Sequence, residues 1–264
     1  MGRLAGKIAL VTGASRGIGE AIAIRLAEEG AHIAINYESE SSKDLAETVK
    51  EQIQSLGVKA IIVQADVGNK AQVEAMFEVV REKLGEVEIL VNNAGIAPFE
   101  PFMKVSEETW DRTYNTNVKS IFMASQLAAK TMIERRYGKI INVLSTASLL
   151  VTSPVIPHYQ SSKAAAHMLT KSMAIELGKY NINVNAVGPS TVDTAMCTDY
   201  LSDPTIREKE IEANPMKRLG TARQIGDAVV FLASDEAMQI NGHLLMVDGG
   251  LTVKAAQPED HMEH

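Results

Sequence analysis

The feature that most constrains this chain is an alternation of short apolar runs with longer amphipathic stretches. The runs are KIALVT (7–12), HIAINY (32–37), AIIVQADV (60–67), EILVNNA (88–94), KIINVLS (139–145), INVNAV (182–187) and HLLMVDG (243–249). Runs this short and this continuously apolar read as strands buried on both faces. Helical patterns fill 17–29, 41–56, 69–84, 107–136, 158–179 and 221–233. Gly30, Gly57, Gly85 and Gly138 follow four of them, where left-handed caps are expected. The alternation predicts an α/β fold with a parallel sheet covered by helices on both faces. One domain over 1–254 is expected, with a long connection at 188–220 as a functional loop and a polar, mobile tail at 255–264.

The 264 residues are enough for one large core, and a formal charge of −7 argues against nucleic-acid or anionic-membrane partners. A lone cysteine, Cys197, permits no internal disulfide and fits a reducing compartment. The start shows no signal-peptide pattern, and no apolar stretch nears the roughly 20 residues of a membrane helix. A cytoplasmic setting is the expectation. No metal site is expected, His261 and His264 being read as part of the tail.

VTGASRGIGEAIA follows the first strand and opens the first helix. Gly13, Gly17 and Gly19 allow a tight turn and close approach to a pyrophosphate, which the N–H groups and dipole of the helix start would favour. The spacing G-x-x-x-G-x-G departs from the commoner G-x-G-x-x-G dinucleotide fingerprint. An acid at the end of the second strand would hold the ribose of NAD. Here Asn36 and Tyr37 stand there, and the first acid is Glu38. Arg16, inside the turn, offers planar donors for a 2′-phosphate instead. NADP(H) is therefore favoured, with NAD(H) as the alternative.

Further along, PHYQSSKAAA (157–166) places Tyr159 one helical turn ahead of Lys163. A cation beside a phenol would lower its pKa and give an acid–base group near neutral pH. The spacing alone also suits a surface tyrosine and a solvated lysine.

TGASRGIG, NNAG (92–95) and YQSSK (159–163), in this order and at these separations, make the chain resemble the short-chain dehydrogenase/reductase family from about Leu4 to Leu251. The resemblance implies a seven-stranded Rossmann sheet and hydride transfer between a nicotinamide and a carbonyl or secondary alcohol. It implies a catalytic tetrad of Asn117, Ser145, Tyr159 and Lys163. In that tetrad Tyr159 exchanges the proton and Lys163 tunes it and holds the ribose. Ser145 polarises the substrate oxygen, and Asn117 supports a water that relays protons. It also implies cofactor contacts from Ser15, Ile18, Asn93, Ala94, Gly95, Pro189, Val192 and Thr194, with Asp66 and Val67 beside the adenine. The interval from Ser145 to Tyr159 is one residue longer than usual, and Thr146 stands at the usual interval. Ser190 replaces the usual glycine in GPSTVDT.

Candidate pocket walls are Ala97, Phe99, Leu149, Leu150, Met196, Cys197, Tyr200 and Leu201, with His158 either touching substrate, packed or solvated. Within the family the pattern is similar to 3-oxoacyl-carrier-protein reductases, for which Arg135, Arg136, Lys139 and Lys179 could offer a basic docking surface. INYESE and HYQSSK suggest sugar or polyol dehydrogenases such as glucose dehydrogenases. A non-catalytic NADP-binding regulator is the reading from another class, and an intact tetrad argues against it. A homotetramer is expected, associating through 107–136, 158–179 and the last strand.

Overall fold

A computed structural model describes residues 2–194 and 197–254, so the predicted tail (with His261 and His264) and Met196 lie outside the described residues. The seven strands are β1 (Ile8–Val11), β2 (His32–Tyr37), β3 (Ala60–Gln64), β4 (Ile89–Asn92), β5 (Gly138–Val143), β6 (Ile182–Pro189) and β7 (Leu244–Val247). They form one parallel sheet in the order β3-β2-β1-β4-β5-β6-β7. The winding reverses between β1 and β4, where a crevice opens at the carboxyl ends of the strands.

The main helices are α1 (Gly17–Glu28), α2 (Lys43–Ser55), α3 (Lys70–Lys83), α4 (Glu107–Tyr114), α5 (Ser120–Arg135), α6 (Pro157–Leu177), α7 (Thr198–Leu201), α8 (Pro204–Ala213) and α9 (Ala222–Ala233). Side-chain alternation along the strands divides the core in two. Ala9, Val11, Ile33 and Ile35 pack under Ile22 and Leu26 of α1, Ile53 of α2 and Val229 of α9. Leu10, Ala34, Leu90 and Ile140 face the other way, under Met76 of α3 and Ala128 and Met132 of α5.

Three expectations need correction. The pattern at 107–136 is two helices joined by a π-helical turn at Asn115–Lys119, an irregularity that hydrophobic periodicity does not report. Gly138 caps no helix: Arg136 takes the left-handed position with φ 52°, and Gly138 opens β5 beneath Met132, whose sulfur would lie 2.4 Å from an added Cβ. The connection 188–220 is not irregular throughout, since Asp203 caps α8 through Thr205 N and Pro204 opens the helix. Gly30, Gly57 and Gly85 do take positive φ.

Candidate active site

The crevice is a cavity of about 630 Å³ running along the carboxyl ends of the central strands. At one end lies the glycine turn. Gly13 and Gly17 have φ of 60° and 64°, in the left-handed region. Gly19 is demanded by space: a Cβ there would meet Gly13 O at 2.3 Å and Asn93 Nδ2 at 2.5 Å. The turn is fastened from below. Asn93 Nδ2 donates to Thr12 O and Gly13 O at 2.9 and 3.0 Å, and Thr12 Oγ1 accepts from Asn93 N and Ala94 N.

Ser15, Arg16 and Ile18 line the cavity with the three glycines, as do Asn93, Ala94 and Gly95. Arg16 is the N-cap of α1, and its exposed guanidinium has no hydrogen bond or ion pair among the described residues. A close backbone turn at a helix N-terminus with a free guanidinium fits a dinucleotide carrying an extra phosphate.

Asn36 lines the cavity too, yet its amide is largely committed inward. Oδ1 accepts from Gly13 N at 3.1 Å and Nδ2 donates to Ala65 O at 3.0 Å. It shapes the turn from a buried position. Tyr37 is buried in the core beside it and does not line the cavity. Asp66 and Val67 line it, with Asp66 Oδ1 accepting from Gly68 N at 2.8 Å. Thr194 lies over Gly17 and lines the cavity. Pro189 ends β6 and does not line it, and the Val192 side chain is in the core, its backbone bridged to Gly220. Ser190 borders a separate recess with Met246 and Gly249.

The four tetrad positions converge at the other end. Tyr159 and Lys163 both line the cavity, and the Lys163 ammonium stands 5.6 Å from the Tyr159 ring centroid. Lys163 is buried and donates to Val143 O at 2.8 Å. Ser145 hydrogen-bonds the Tyr159 hydroxyl, whereas Thr146 is buried in the short turn that Ser145 caps. Gly95 lies between the other two: a Cβ there would be 3.3 Å from Asn117 Oδ1 and 3.5 Å from Lys163 Nζ.

The expected electrostatics are reversed. Burial pushes the Tyr159 phenol up to about 12, the Ser145 hydrogen bond opposing, and pushes the Lys163 ammonium down to about 8. Desolvation of both groups outweighs any attraction the lysine exerts on a phenolate. The result is a phenol held protonated at neutral pH, the form a proton donor needs.

Asn117 sits in the π-helical turn. Its Oδ1 accepts from Ile96 N and its Nδ2 donates to Ile96 O, both at 2.9 Å, and Nδ2 also donates to Ser162 Oγ at 3.0 Å. The side chain therefore braces the cavity wall, which its motif position alone does not reveal.

Other lining residues escaped the sequence reading. Thr109, Arg112 and Thr116 present one face at helical spacing, a signal that was available. Ala65 and Leu144 follow strand ends, where ligands of parallel sheets bind. Ser42 lines the cavity too, as does Glu38, the first acid after β2. Of the candidate walls, Ala97 lines the cavity and Phe99 stacks on Tyr200 with ring centroids 6.0 Å apart. Leu201 is buried, Cys197 is partly buried, and Leu149 and Leu150 are exposed. His158 is fully buried and does not line the cavity. The proposed basic surface fails at Lys139, which is buried near the amino end of β5, away from the cavity, with Nζ donating to Asn183 Oδ1 at 2.8 Å.

Among the described residues no helix is long and apolar enough to cross a membrane. Residues 13–252 match the family model described as enoyl-(acyl carrier protein) reductase. The chain is 42% identical over 245 residues to the 3-oxoacyl-[acyl-carrier-protein] reductase FabG of Staphylococcus aureus, covering 93% of this chain and 98% of that one. It is 39% identical over 250 residues to an L-rhamnose 1-dehydrogenase (NAD(P)(+)) of a Sphingomonas strain, covering 95% of this chain and 98% of that one, and 36% identical over 250 residues to the 5-keto-D-gluconate 5-reductase of Escherichia coli, covering 95% of this chain and 97% of that one. A gluconate 5-dehydrogenase of Burkholderia cenocepacia, solved with NADP and tartrate, superposes with a TM-score of 0.90 at 35% identity over 96% of this chain and 98% of that one. The chain belongs to the short-chain dehydrogenase/reductase family of oxidoreductases.

Proposed function

We propose that this protein is an NADP(H)-dependent reductase that interconverts a small-molecule carbonyl and its secondary alcohol. One observation carries the reading: a single cavity runs from the glycine turn and Arg16 to Tyr159 and Lys163. Gly13, Ser15, Gly17, Ile18 and Gly19 would hold the pyrophosphate, Arg16 the 2′-phosphate, and Asp66 and Val67 the adenosine. Lys163, Asn93, Ala94 and Gly95 would border the nicotinamide half and Thr194 would meet the carboxamide, while Pro189 and Val192 would reach the cofactor only through their backbone. The bound cofactor supplies the hydride. Tyr159 donates the proton to the substrate oxygen, Ser145 donates a hydrogen bond to that oxygen, and Lys163 provides the nearby positive charge. Asn117 keeps the wall in place through Ile96.

NADP is favoured over NAD by the unpartnered Arg16 and by the absence of an acid at Asn36 and Tyr37. The relative from Burkholderia cenocepacia was solved with NADP, which supports the same choice. The substrate is a ketone or a related carbonyl. The setting is the cytoplasm, consistent with a lone thiol. The assembly is a homotetramer, a reading supported by exposed apolar side chains on the two helices expected to associate, Phe122 of α5 and Met168 and Ile175 of α6.

The test is NADPH oxidation against aliphatic ketones, aldehydes, acetoacetyl thioesters and keto sugar acids, with Tyr159→Phe beside wild type. Turnover by wild type and its loss in the variant, with NADPH binding intact, is the expected result. Wild-type levels of turnover by Tyr159→Phe would overturn the assignment.

A further inference from the structure

Residues 93–101 form a wall of the cavity without belonging to a helix or strand, so individual bonds must hold them. The start is tied down through Asn93. Beyond it the ties fall on alternate residues, as a strand-like chain presents them. Ile96 is held at both backbone groups by Asn117, Pro98 O is 3.0 Å from His158 Nε2, and Glu100 N donates to Val155 O at 2.8 Å. These three residues and Ala97 all line the cavity, while Phe99 stacks on Tyr200.

Pro98 has no N–H, so its carbonyl is the residue's one polar main-chain group, and His158 is its partner. A carbonyl only accepts, which places the hydrogen on Nε2. Nδ1 is buried and has no hydrogen-bond partner among the described residues. The ring therefore works through a single donor, and no second contact continues a proton chain. His158 also directly precedes Tyr159 in the first turn of α6.

We propose that His158 is a positioning residue for the substrate cleft: its Nε2–H fixes the wall at residues 96–100 against the first turn of α6. The substrate carbonyl is thereby kept in register with the Tyr159 hydroxyl. The kinetic part of this inference rests on the proposed carbonyl reduction. The structural part does not.

Three variants separate the donor from the ring. Gln can place an amide N–H where Nε2 stands, Asn is too short to reach, and Phe fills the space without a donor. The measurements are KM and kcat for one carbonyl substrate, the Kd of NADPH, and hydrogen exchange of the amides at 96–100. His158→Phe and His158→Asn should raise KM by about tenfold, the consequence of removing the donor that holds the Pro98 carbonyl and misplacing its segment. Their exchange at 96–100 should quicken while the Kd of NADPH holds. His158→Gln should return both KM and exchange close to wild type. Equal losses in the Gln and Phe variants would overturn the proposal in favour of simple ring packing, and unchanged exchange in all three would overturn it as well. If wild type reduces no carbonyl in the panel, the function assignment fails by itself, and the exchange comparison still decides the role of His158.

Discussion

Replacing Lys163 with Met should stabilise the fold at pH 7 while abolishing turnover. Met has a similar length and carries no charge into the site. The buried ammonium ionises at about 8 in the folded protein, against the ordinary lysine value of 10.5. That depression corresponds to about 3 kcal/mol favouring the neutral form over the charged one. The sign follows from proton counting. Below pH 8 both folded and unfolded chains carry the proton, and folding bears the full cost of burying it. Between 8 and 10.5 the unfolded chain binds more protons than the folded one, so stability rises with pH. The cost falls from about 3 kcal/mol at pH 7 to about 1 kcal/mol at pH 10. The variant also loses the hydrogen bond to Val143 O, worth about 1 kcal/mol. Lys163→Met should therefore gain about 2 kcal/mol at pH 7 and nothing measurable at pH 10. Urea unfolding of both proteins at the two pH values gives the double difference, in which the titration of all other groups cancels. A variant less stable than wild type at pH 7, or a difference independent of pH, would refute the reasoning.

Arg16→Ala should weaken NADPH binding by about 1–3 kcal/mol and leave NADH nearly unchanged, measured as two dissociation constants; equal losses would mean that Arg16 only supports the turn. Gly19→Ala should cost about 1–3 kcal/mol of stability and most cofactor affinity, because its Cβ would collide with Gly13 O, which calorimetry and NADPH titration can check. The reductive kcat/KM for NADPH should decline above pH 8 as Lys163 loses its proton, and a profile flat to pH 10 would remove the ammonium from the reaction. Light scattering at micromolar concentration should return four chains, and a monomer would leave Phe122, Met168 and Ile175 without the partner surface inferred for them.

What could be read from the sequence was local. The glycine turn announces itself because three glycines clustered at a helix start have one common use, and Gly13, Gly17 and Gly19 occupy the conformations or spaces expected of them. Tyr159 and Lys163 share a helix face by spacing alone. What was missed depends on partners distant along the chain. Asn36 looks like a ribose-binding position, but its amide clamps Gly13 and Ala65 across two loops. Lys139 looks like a surface cation until β5 places it in the interior. The π-helical turn around Asn117 follows from packing against Ile96 and Ser162, which no periodicity encodes.

The reversal of the Tyr159 and Lys163 electrostatics bears on the direction of reaction. Spacing suggests a lysine that ionises its tyrosine, and such a pair would serve alcohol oxidation, which begins with a phenolate. Burial does the opposite. With the phenol at about 12, the phenolate at pH 7 is roughly five orders of magnitude less populated than the phenol. Reduction needs only the dominant form, with the proton already on Tyr159 and a Ser145 hydrogen bond beside it. Oxidation must first remove that proton, and its rate should climb with pH well past the point at which reduction declines. The same burial that costs stability at Lys163 keeps the Tyr159 phenol protonated at neutral pH, so the proton donor of the proposed carbonyl reduction is in the form that step needs.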